Sequence, residues 1–147
     1  MYAKIRNPLK KVSTHNFACS KEAGIWLYGE KYWKEGKVKI VKNAIDLECF
    51  AYMPETRERM RQQFGLKDSY VVGHVGRFAP QKNHDFLIDI FAEIKKKKKE
   101  AVLLLVGEGE LRSEIEEKVR HLGLSDSVIF TGVRKDVPEL MQMMDVF

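Results

Sequence analysis

Three apolar runs in the second half of the chain constrain its fold more than any other feature. They lie at residues 70–76, 101–106 and 127–131, and a segment with helical periodicity follows each of them. Nearly continuous apolar runs of this length are typical of strands that are buried on both faces of a parallel sheet. Because strands that alternate with helices favour right-handed crossovers, the sequence predicts an α/β domain with a parallel sheet.

The helices between the apolar runs are marked by apolar stripes and by residues that begin or end helices. Asn83 is expected to cap the first helix, and Asp136 with Glu139 has the spacing of a capping box at the last. A fourth strand is expected to begin at residue 145. The three stripes are Phe86, Leu87, Ile90, Phe91 and Ile94; Leu111, Ile115, Val119 and Leu122; and Val137, Leu140, Met141 and Met144.

The part of the chain before residue 70 is less regular. It offers a short extended segment at residues 14–19, a helix that Ser20 is expected to cap, and a short strand at residues 38–41. Residues 43–54 contain turn formers and no periodicity. We therefore expect residues 1–41 to be the end of one domain, residues 42–69 to be a linker and hinge, and residues 70–147 to be part of a second domain.

The charge of the chain is compatible with several anionic partners and selects none of them. The formal net charge is +5 over 147 residues. Near the N-terminus, Lys4, Arg6, Lys10 and Lys11 could touch an anionic membrane surface, or they belong to an exposed tail or helix. No apolar run approaches the roughly 20 residues that span a bilayer, and no apolar signal core follows Met1. We therefore expect a cytoplasmic protein, with a peripheral position at the inner membrane face as a second expectation.

Glycine follows the end of each of the three apolar runs. In open parallel sheets, ligands bind beyond the carboxyl ends of the strands, and glycine allows a backbone to approach a ligand or to turn tightly. Three glycine-containing loops at one edge therefore favour a binding crevice, although each of them is also explained by an ordinary turn. These glycines are Gly76, Gly107 with Gly109, and Gly132.

Two cations lie on the loop after the first apolar run, and they are the candidate catalytic residues. Arg77 follows Gly76 directly, and Lys82 lies five residues later, near the start of the next helix. A helix start offers free backbone N–H groups, Arg can hold a phosphate with two parallel hydrogen bonds, and Lys adds a point charge. Together they could bind a diphosphate and offset the charge of a departing phosphate. The alternative is two solvated surface cations.

Five segments, in this order and spacing, resemble the group 1 glycosyltransferases, which are glycogen-synthase-like enzymes with the two-domain GT-B architecture. The segments are Ser20–Ala23, Val41–Asp46, Gly73–Asn83, Val106–Arg112 and Phe130–Arg134. The resemblance implies a Rossmann-like, incomplete C-terminal domain that binds the sugar donor, preceded by the last elements of an N-terminal acceptor domain. This chain departs from the family's frequent glycine at Ala44 and at Asn83.

The resemblance also implies roles for individual residues. Arg77 and Lys82 would bind the diphosphate and help the nucleotide leave, and Gly76 would let the loop approach the phosphates. Val133 would contact the nucleobase through its backbone, and Glu108 with Gly109 would face the nucleotide. The implied donor-binding set is Gly76, Arg77, Lys82, Glu108, Gly109 and Val133.

The activity that the resemblance implies is transfer of a sugar from a UDP- or GDP-sugar to a glycan or lipid-linked acceptor, with retention of configuration. Such enzymes act in cell-surface polysaccharide or glycan synthesis and typically need neither a metal nor another cofactor. The family's Glu-containing segment would follow Phe147, so we expect the isolated chain to be inactive.

Two other classes of protein remain as alternatives. A dinucleotide-binding oxidoreductase would carry GxGxxG after its first strand, whereas Gly73 and Gly76 are spaced differently here. A non-enzymatic basic module that binds nucleic acid lacks support from aromatic-rich basic strands, so no nucleic-acid partner is expected. The four histidines are expected to be structural or surface residues rather than catalytic bases. His84, which lies near Lys82 and the phosphate loop, is the strongest candidate for an exception.

Overall fold

A computed structural model describes residues 12–147, in which the chain divides into two compact units between Asp46 and Leu47. The four basic residues considered for membrane contact lie outside the described residues. Within residues 12–147, no helix combines the length and apolar character that crossing a bilayer requires.

The first unit contains one pair of parallel strands and two short helices. Strand β1 (Asn16–Ala18) pairs with β2 (Val38–Ile40), and helices α1 (Lys21–Tyr28) and α2 (Glu30–Lys34) connect them. The hydroxyl of Ser20 accepts a hydrogen bond of 3.1 Å from the amide of Ala23, so the predicted cap of α1 is confirmed.

The second unit is a three-stranded parallel sheet with helices between its strands, as the apolar runs predict. The strand order is β3-β4-β5, and an isolated parallel bridge joins Val72 to Val146, where a further strand was expected to begin. The elements are α3 (Pro54–Gln63), β3 (Tyr70–Val75), α4 (His84–Lys97), β4 (Ala101–Val106), α5 (Arg112–His121), β5 (Val128–Gly132) and α6 (Val137–Gln142), with short 3-10 turns at Glu48–Phe50, Pro80–Lys82 and Ser125–Ser127.

The central strand β4 is buried on both of its faces. Leu103, Leu104 and Leu105 are each 0% exposed, because successive side chains enter two different apolar clusters. Leu103 and Leu105 pack with residues of α4 and α5, and Leu104 packs with residues of α3 and α6. The sheet therefore has helices on both faces, and all three strands present their carboxyl ends at one edge.

Part of the segment that was expected to be a linker is helical. Helix α3 lies within residues 42–69, and its residue Met60 is 2% exposed in the cluster beneath β3 and β4. The interpretation of residues 43–54 as a stretch without regular structure omitted the 3-10 turn at Glu48–Phe50 and the first residue of α3. Proline at the first position of α3 is a favoured helix start, because its missing N–H would be unpaired there anyway.

The buried face of α4 and the start of α6 differ from the predictions. On α4, Phe86 and Ile90 are 58% and 42% exposed, whereas Ile88 is fully buried, so the buried stripe is rotated around the helix. Asp136 makes no capping bond to α6, because its carboxylate binds the guanidinium of Arg134 at 2.6 Å. The predicted capping box is therefore wrong.

A cluster of polar side chains fixes α3 to the end of α6 and to β3. Asp145 accepts a hydrogen bond of 2.7 Å from the amide of Val71 and forms ion pairs with Arg57 (2.5 Å) and Arg61 (3.3 Å). Arg61 also donates to the carbonyl of Met143 at 2.8 Å. These contacts connect residues that are more than 70 positions apart, so none of them could be read from local sequence patterns.

Candidate functional site

Backbone hydrogen bonds join the three loops that leave the carboxyl ends of β3, β4 and β5. In each of these hydrogen bonds, the amide that donates belongs to the loop after β3 or to the loop after β4. The carbonyl that accepts belongs to the neighbouring strand or to its loop. The loops therefore form one continuous edge rather than three independent turns. The bonds are Gly76 N to Val106 O (2.9 Å), Phe78 N to Glu108 O (3.0 Å) and Gly107 N to Gly132 O (2.9 Å).

The glycines after β4 are required by contact between the loops. A Cβ atom on Gly107 would lie 2.1 Å from the carbonyl oxygen of Gly76, and Gly107 also has a φ of 140°, which side chains rarely allow. A Cβ atom on Gly109 would lie 2.3 Å from the carbonyl oxygen of Phe78. In this structure the absence of these two side chains allows one loop to approach another, whereas the sequence analysis expected these glycines to allow the approach of a ligand or a tight turn.

The side chain of Lys82 lies against Gly76, on the side where other residues carry a Cβ atom. A Cβ atom on Gly76 would be 3.4 Å from both Cγ and Cδ of Lys82, so the lysine stem passes directly beside this glycine. The chain then reverses at Asn83, which has a left-handed φ of 47° and makes no side-chain capping bond. The predicted side-chain cap at Asn83 is therefore wrong, and Asn83 begins α4 through a backbone conformation that asparagine tolerates better than most residues.

Arg77 extends from the same loop to the loop after β4. Its side chain is 73% exposed, and its Nη2 donates to Oε2 of Glu110 at 3.0 Å. The backbone amide of Glu110 lowers the pKa of its carboxyl most, and the guanidinium of Arg77 lowers it further, so that the pKa lies below its ordinary value although burial opposes the shift. Lys82 and Arg77 thus belong to one loop, with Lys82 held at Gly76 and Arg77 held at Glu110.

Glu108 and Val133 are brought together where the loops after β4 and β5 meet. Oε1 of Glu108 would lie 3.1 Å from a Cβ atom on Gly132, the residue before Val133. The same carboxylate pairs with Arg112, whose guanidinium lies 5.7 Å from the ring centroid of Phe130. Val133 is 76% exposed. This end of the edge therefore presents an exposed residue beside an ion pair.

A pair of histidines lies behind the basic loop, and the sequence analysis identified only one of them. His84, the first residue of α4, is 1% exposed, and Phe78 stacks on its ring with centroids 4.1 Å apart. The ring of His74, on β3, contacts it edge-on at 4.8 Å. His74 stands inside an apolar run that appeared to be simple core, and only its position two residues before Gly76 indicated this location.

The pKa values of both imidazoles are lowered from their ordinary value. Burial is the largest cause for each ring, because it disfavours the charged form. The positive charge of Lys82 lowers the pKa of His74 further, and His74 and Lys82 do the same for His84. Both rings are therefore neutral near pH 7 in the absence of a ligand.

A cavity of about 370 Å³ lies along α3, but its residues have another role. It is lined by Pro54, Arg57, Glu58, Arg61, Gln62 and Lys67, and it shares no residue with the three loops. Arg57 and Arg61 in its wall already hold Asp145. We therefore place the candidate site at the glycine-rich edge, where helix starts and basic side chains converge.

A parallel sheet whose carboxyl edge carries such loops is the architecture of nucleotide-binding α/β domains. The profile of the family described as Glycosyl transferases group 1 matches residues 56–147, which is more than half of the chain. The chain belongs to this family. Membership favours the glycosyltransferase interpretation over the oxidoreductase and the nucleic-acid alternatives.

Individual relatives agree with this assignment. EpsF of Bacillus subtilis, a protein named as a glycosyltransferase, is 37% identical over 131 residues, which are 88% of this chain and 34% of EpsF. A GDP-mannose-dependent phosphatidylinositol monomannoside mannosyltransferase of Mycolicibacterium smegmatis is 33% identical over 105 residues, covering 70% of this chain and 28% of the relative. The chain thus spans about a third of the length of these relatives.

Solved structures show the same fold. The Anabaena protein HepE, solved in complex with UDP and glucose, superimposes with a TM-score of 0.82 and 26% identity over 98% of this chain and 39% of HepE. WaaG, a glycosyltransferase involved in lipopolysaccharide biosynthesis, superimposes with a TM-score of 0.74 and 25% identity over 88% of this chain and 36% of WaaG. The structure therefore confirms the predicted fold class, an α/β fold with a parallel sheet that matches a partial C-terminal domain of GT-B type.

Proposed function

We propose that the chain binds a nucleotide-sugar donor and is part of a glycosyltransferase that transfers the sugar with retention of configuration. The observation that carries this proposal is the loop from Gly76 to Asn83, which places two cations at the carboxyl edge of the sheet and directly before α4. Helix α4 has 14 residues, so its first turn offers unpaired N–H groups and a positive dipole end. A diphosphate is the ligand that best matches this combination.

The two cations would perform different tasks. Arg77 is exposed and ends in a planar group that can bind two phosphate oxygens at once, so it would orient the diphosphate. Lys82, beside Gly76, would add a positive charge close to the backbone that the phosphates approach. When the bond between sugar and phosphate breaks, the leaving phosphate gains negative charge, and both cations would stabilise it.

The remaining candidate residues would hold the nucleoside. Val133, which is exposed, would contact the nucleobase through its backbone, with Glu108 and its partner Arg112 beside it. Gly109 would act indirectly, because its lack of a side chain lets the loop after β4 contact the backbone of Phe78. The names of the relatives, which include a GDP-mannose-dependent enzyme and a UDP-Gal transferase that acts on a diphosphoundecaprenol, support a UDP- or GDP-sugar donor and a glycan or lipid-linked acceptor.

The wider context is proposed on the same basis. Residues 1–41 would be the end of the acceptor-side domain and residues 42–69 the hinge region, in which α3 is already part of the second unit. The protein would act in the cytoplasm on cell-surface polysaccharide or related glycans, with peripheral contact to the inner face of the membrane, and the isolated chain would be inactive.

Removal of either cation should weaken the binding of UDP. We expect Arg77→Ala and Lys82→Ala each to lower the affinity of the chain for UDP by about 10- to 100-fold, because a hydrogen bond to a charged group contributes about 1.5–3 kcal/mol. Isothermal titration calorimetry measures this directly. Lys96→Ala is the matched control, since Lys96 lies at the other end of α4 and pairs with Glu93. Equal affinities for the Arg77 and Lys96 variants would contradict the proposal.

Glu110 should compete with the diphosphate for Arg77. We expect Glu110→Gln to raise the affinity for UDP by about two- to fivefold, because exposed ion pairs contribute about 0–1 kcal/mol and the guanidinium would be released. Glu117→Gln is the control, since Glu117 pairs with Arg120 on α5. A fall in affinity on Glu110→Gln would show that Glu110 positions Arg77 rather than competing for it.

A further inference from the structure

His84 is buried without a hydrogen-bond partner for either ring nitrogen among residues 12–147. A neutral imidazole always carries one N–H donor and one acceptor nitrogen, and leaving such groups buried and unpaired costs about 1–3 kcal/mol. Native proteins rarely retain such groups unless a ligand, an ion or a water molecule satisfies them. The orphaned nitrogens therefore need a partner that packing alone does not supply.

The second ring of the pair connects His84 to the basic loop. Nε2 of His74 is also buried and has no partner within residues 12–147. It lies 3.0 Å from the place that a Cβ atom on Gly76 would occupy, on the side where the stem of Lys82 passes. Because the ring of His74 contacts the ring of His84 edge-on, the two imidazoles form a continuous row from the first residue of α4 to the Cα atom of Gly76.

Among residues 12–147, the charge that acts on both rings is that of Lys82 in the 3-10 turn. Protonated His74 on β3 would also act on His84 on α4, and no carboxylate of these described residues shifts the pKa of either ring. A diphosphate bound beside Lys82 would reverse the sign of this field. Proton binding to the imidazoles, which burial and Lys82 disfavour, would then become favourable.

We propose that the His74–His84 pair takes up a proton when a nucleoside diphosphate binds to the Gly76–Lys82 loop, and that Nε2 of His74 donates a hydrogen bond to the phosphate next to the sugar. This inference rests on the proposed function. The proton comes from solvent and remains on the pair, so no covalent step is involved. The uptake supplies a positive charge when the phosphate gains its negative charge on departure of the sugar.

The sign of the effect follows from linkage. Without a ligand, the pKa values of the two imidazoles are lowered, and beside a bound diphosphate they would be higher. Between these two values, binding of the diphosphate takes up protons. The affinity for the diphosphate therefore rises as the pH falls through this range. One proton corresponds to a tenfold change in affinity per pH unit at most. Phosphate monoesters lose their second proton at about pH 6 and act in the opposite direction, so variants must be compared with the same ligand.

NMR titration of the histidine ring protons in the 147-residue chain, with and without saturating UDP, tests the proposal. We expect the pKa of His74 to rise by about one unit or more on binding, with that of His84 rising too, while the ring signals of exposed His15 and His121 should not move when UDP is added. Calorimetry in two buffers with different ionisation enthalpies should show proton uptake near pH 6.5. His74→Gln keeps a donor but cannot titrate, so it should bind UDP without this uptake, and His121→Gln should behave as the unmodified chain does.

The amide signals of Gly76 and Arg77 separate the two hypotheses. If UDP moves these amides but leaves the pKa values of both buried rings unchanged, the proton uptake is refuted and the proposed binding site remains. If UDP moves neither the amides nor the rings, both the site and the inference fail. Equal proton uptake by the His74→Gln and unmodified chains also overturns the role of the pair, and this comparison is valid only if the variant retains the amide spectrum of a folded chain.

Discussion

Substitution of Gly109 with alanine is expected to lower the free energy of unfolding of the second unit by about 3 kcal/mol and the affinity for UDP at least about 100-fold. The new Cβ atom would lie 2.3, 2.7 and 2.8 Å from O, N and C of Phe78, so it would meet backbone atoms that cannot rotate away. The loop after β3 would have to move, and Arg77 lies on that loop. Urea unfolding and calorimetry with UDP measure the two effects.

Gly123→Ala is the matched control for this substitution. Gly123 has a left-handed φ of 66°, and a Cβ atom there would meet nothing within 4 Å, so the substitution introduces backbone strain without a collision. We expect a loss of about 1–2 kcal/mol in stability and an unchanged affinity for UDP. If Gly109→Ala binds UDP as well as Gly123→Ala does, the close contact between the loops is not important for the site.

Neutralisation of Asp145 should have the second large effect. We expect Asp145→Asn to lower the free energy of unfolding by about 3 kcal/mol, because Arg61, whose side chain is only 11% exposed, would lose its ionic partner. Burial alone would raise the pKa of the Asp145 carboxyl, but the amide of Val71 and the guanidinium groups of Arg57 and Arg61 lower it below its ordinary value. Thermal and urea unfolding at several pH values measure the contribution.

The pH dependence gives the prediction a definite sign. Since the folded pKa of Asp145 is lowered, its stabilisation is complete above the unfolded value of about 4 and is lost as the pH falls through the folded value. When the pH falls from about 5 to about 3, the Asp145→Asn chain should therefore lose less stability than the unmodified chain. Glu93→Gln, which removes an exposed ion pair with Lys96, should change stability by less than about 1 kcal/mol. An unchanged acid profile for Asp145→Asn would contradict the assignment.

The sheet could be predicted from the sequence because its strands are nearly continuous apolar runs. Successive side chains of β4 enter two different apolar clusters, one on each face of the sheet. A continuous apolar run is typical of a strand that is buried on both faces in this way. Helix α3 could not be predicted in the same way, because it contains one buried apolar residue, Met60, and is held by arginines. Their partners belong to a segment that is distant in sequence and close only in the folded chain.

The candidate site was predicted in part. The cations Arg77 and Lys82 were identified from their position after a buried strand, and their role in donor binding stays a prediction. The acidic partner of Arg77 is 33 residues away, on a loop that becomes adjacent only through strand pairing. His74 was overlooked because a histidine inside an apolar run resembles a core residue, and only its burial beside a second histidine distinguishes it.

The backbone bonds between the loops after β3, β4 and β5 have a consequence for how such a protein changes during evolution. The outline of the edge depends on main-chain atoms and on Gly107 and Gly109, not on the side chains that project from it. Residues such as Glu108 and Val133 can therefore be exchanged while this main-chain frame is retained. With the proposed donor at this edge, selectivity for a different base or sugar could diverge without a new fold.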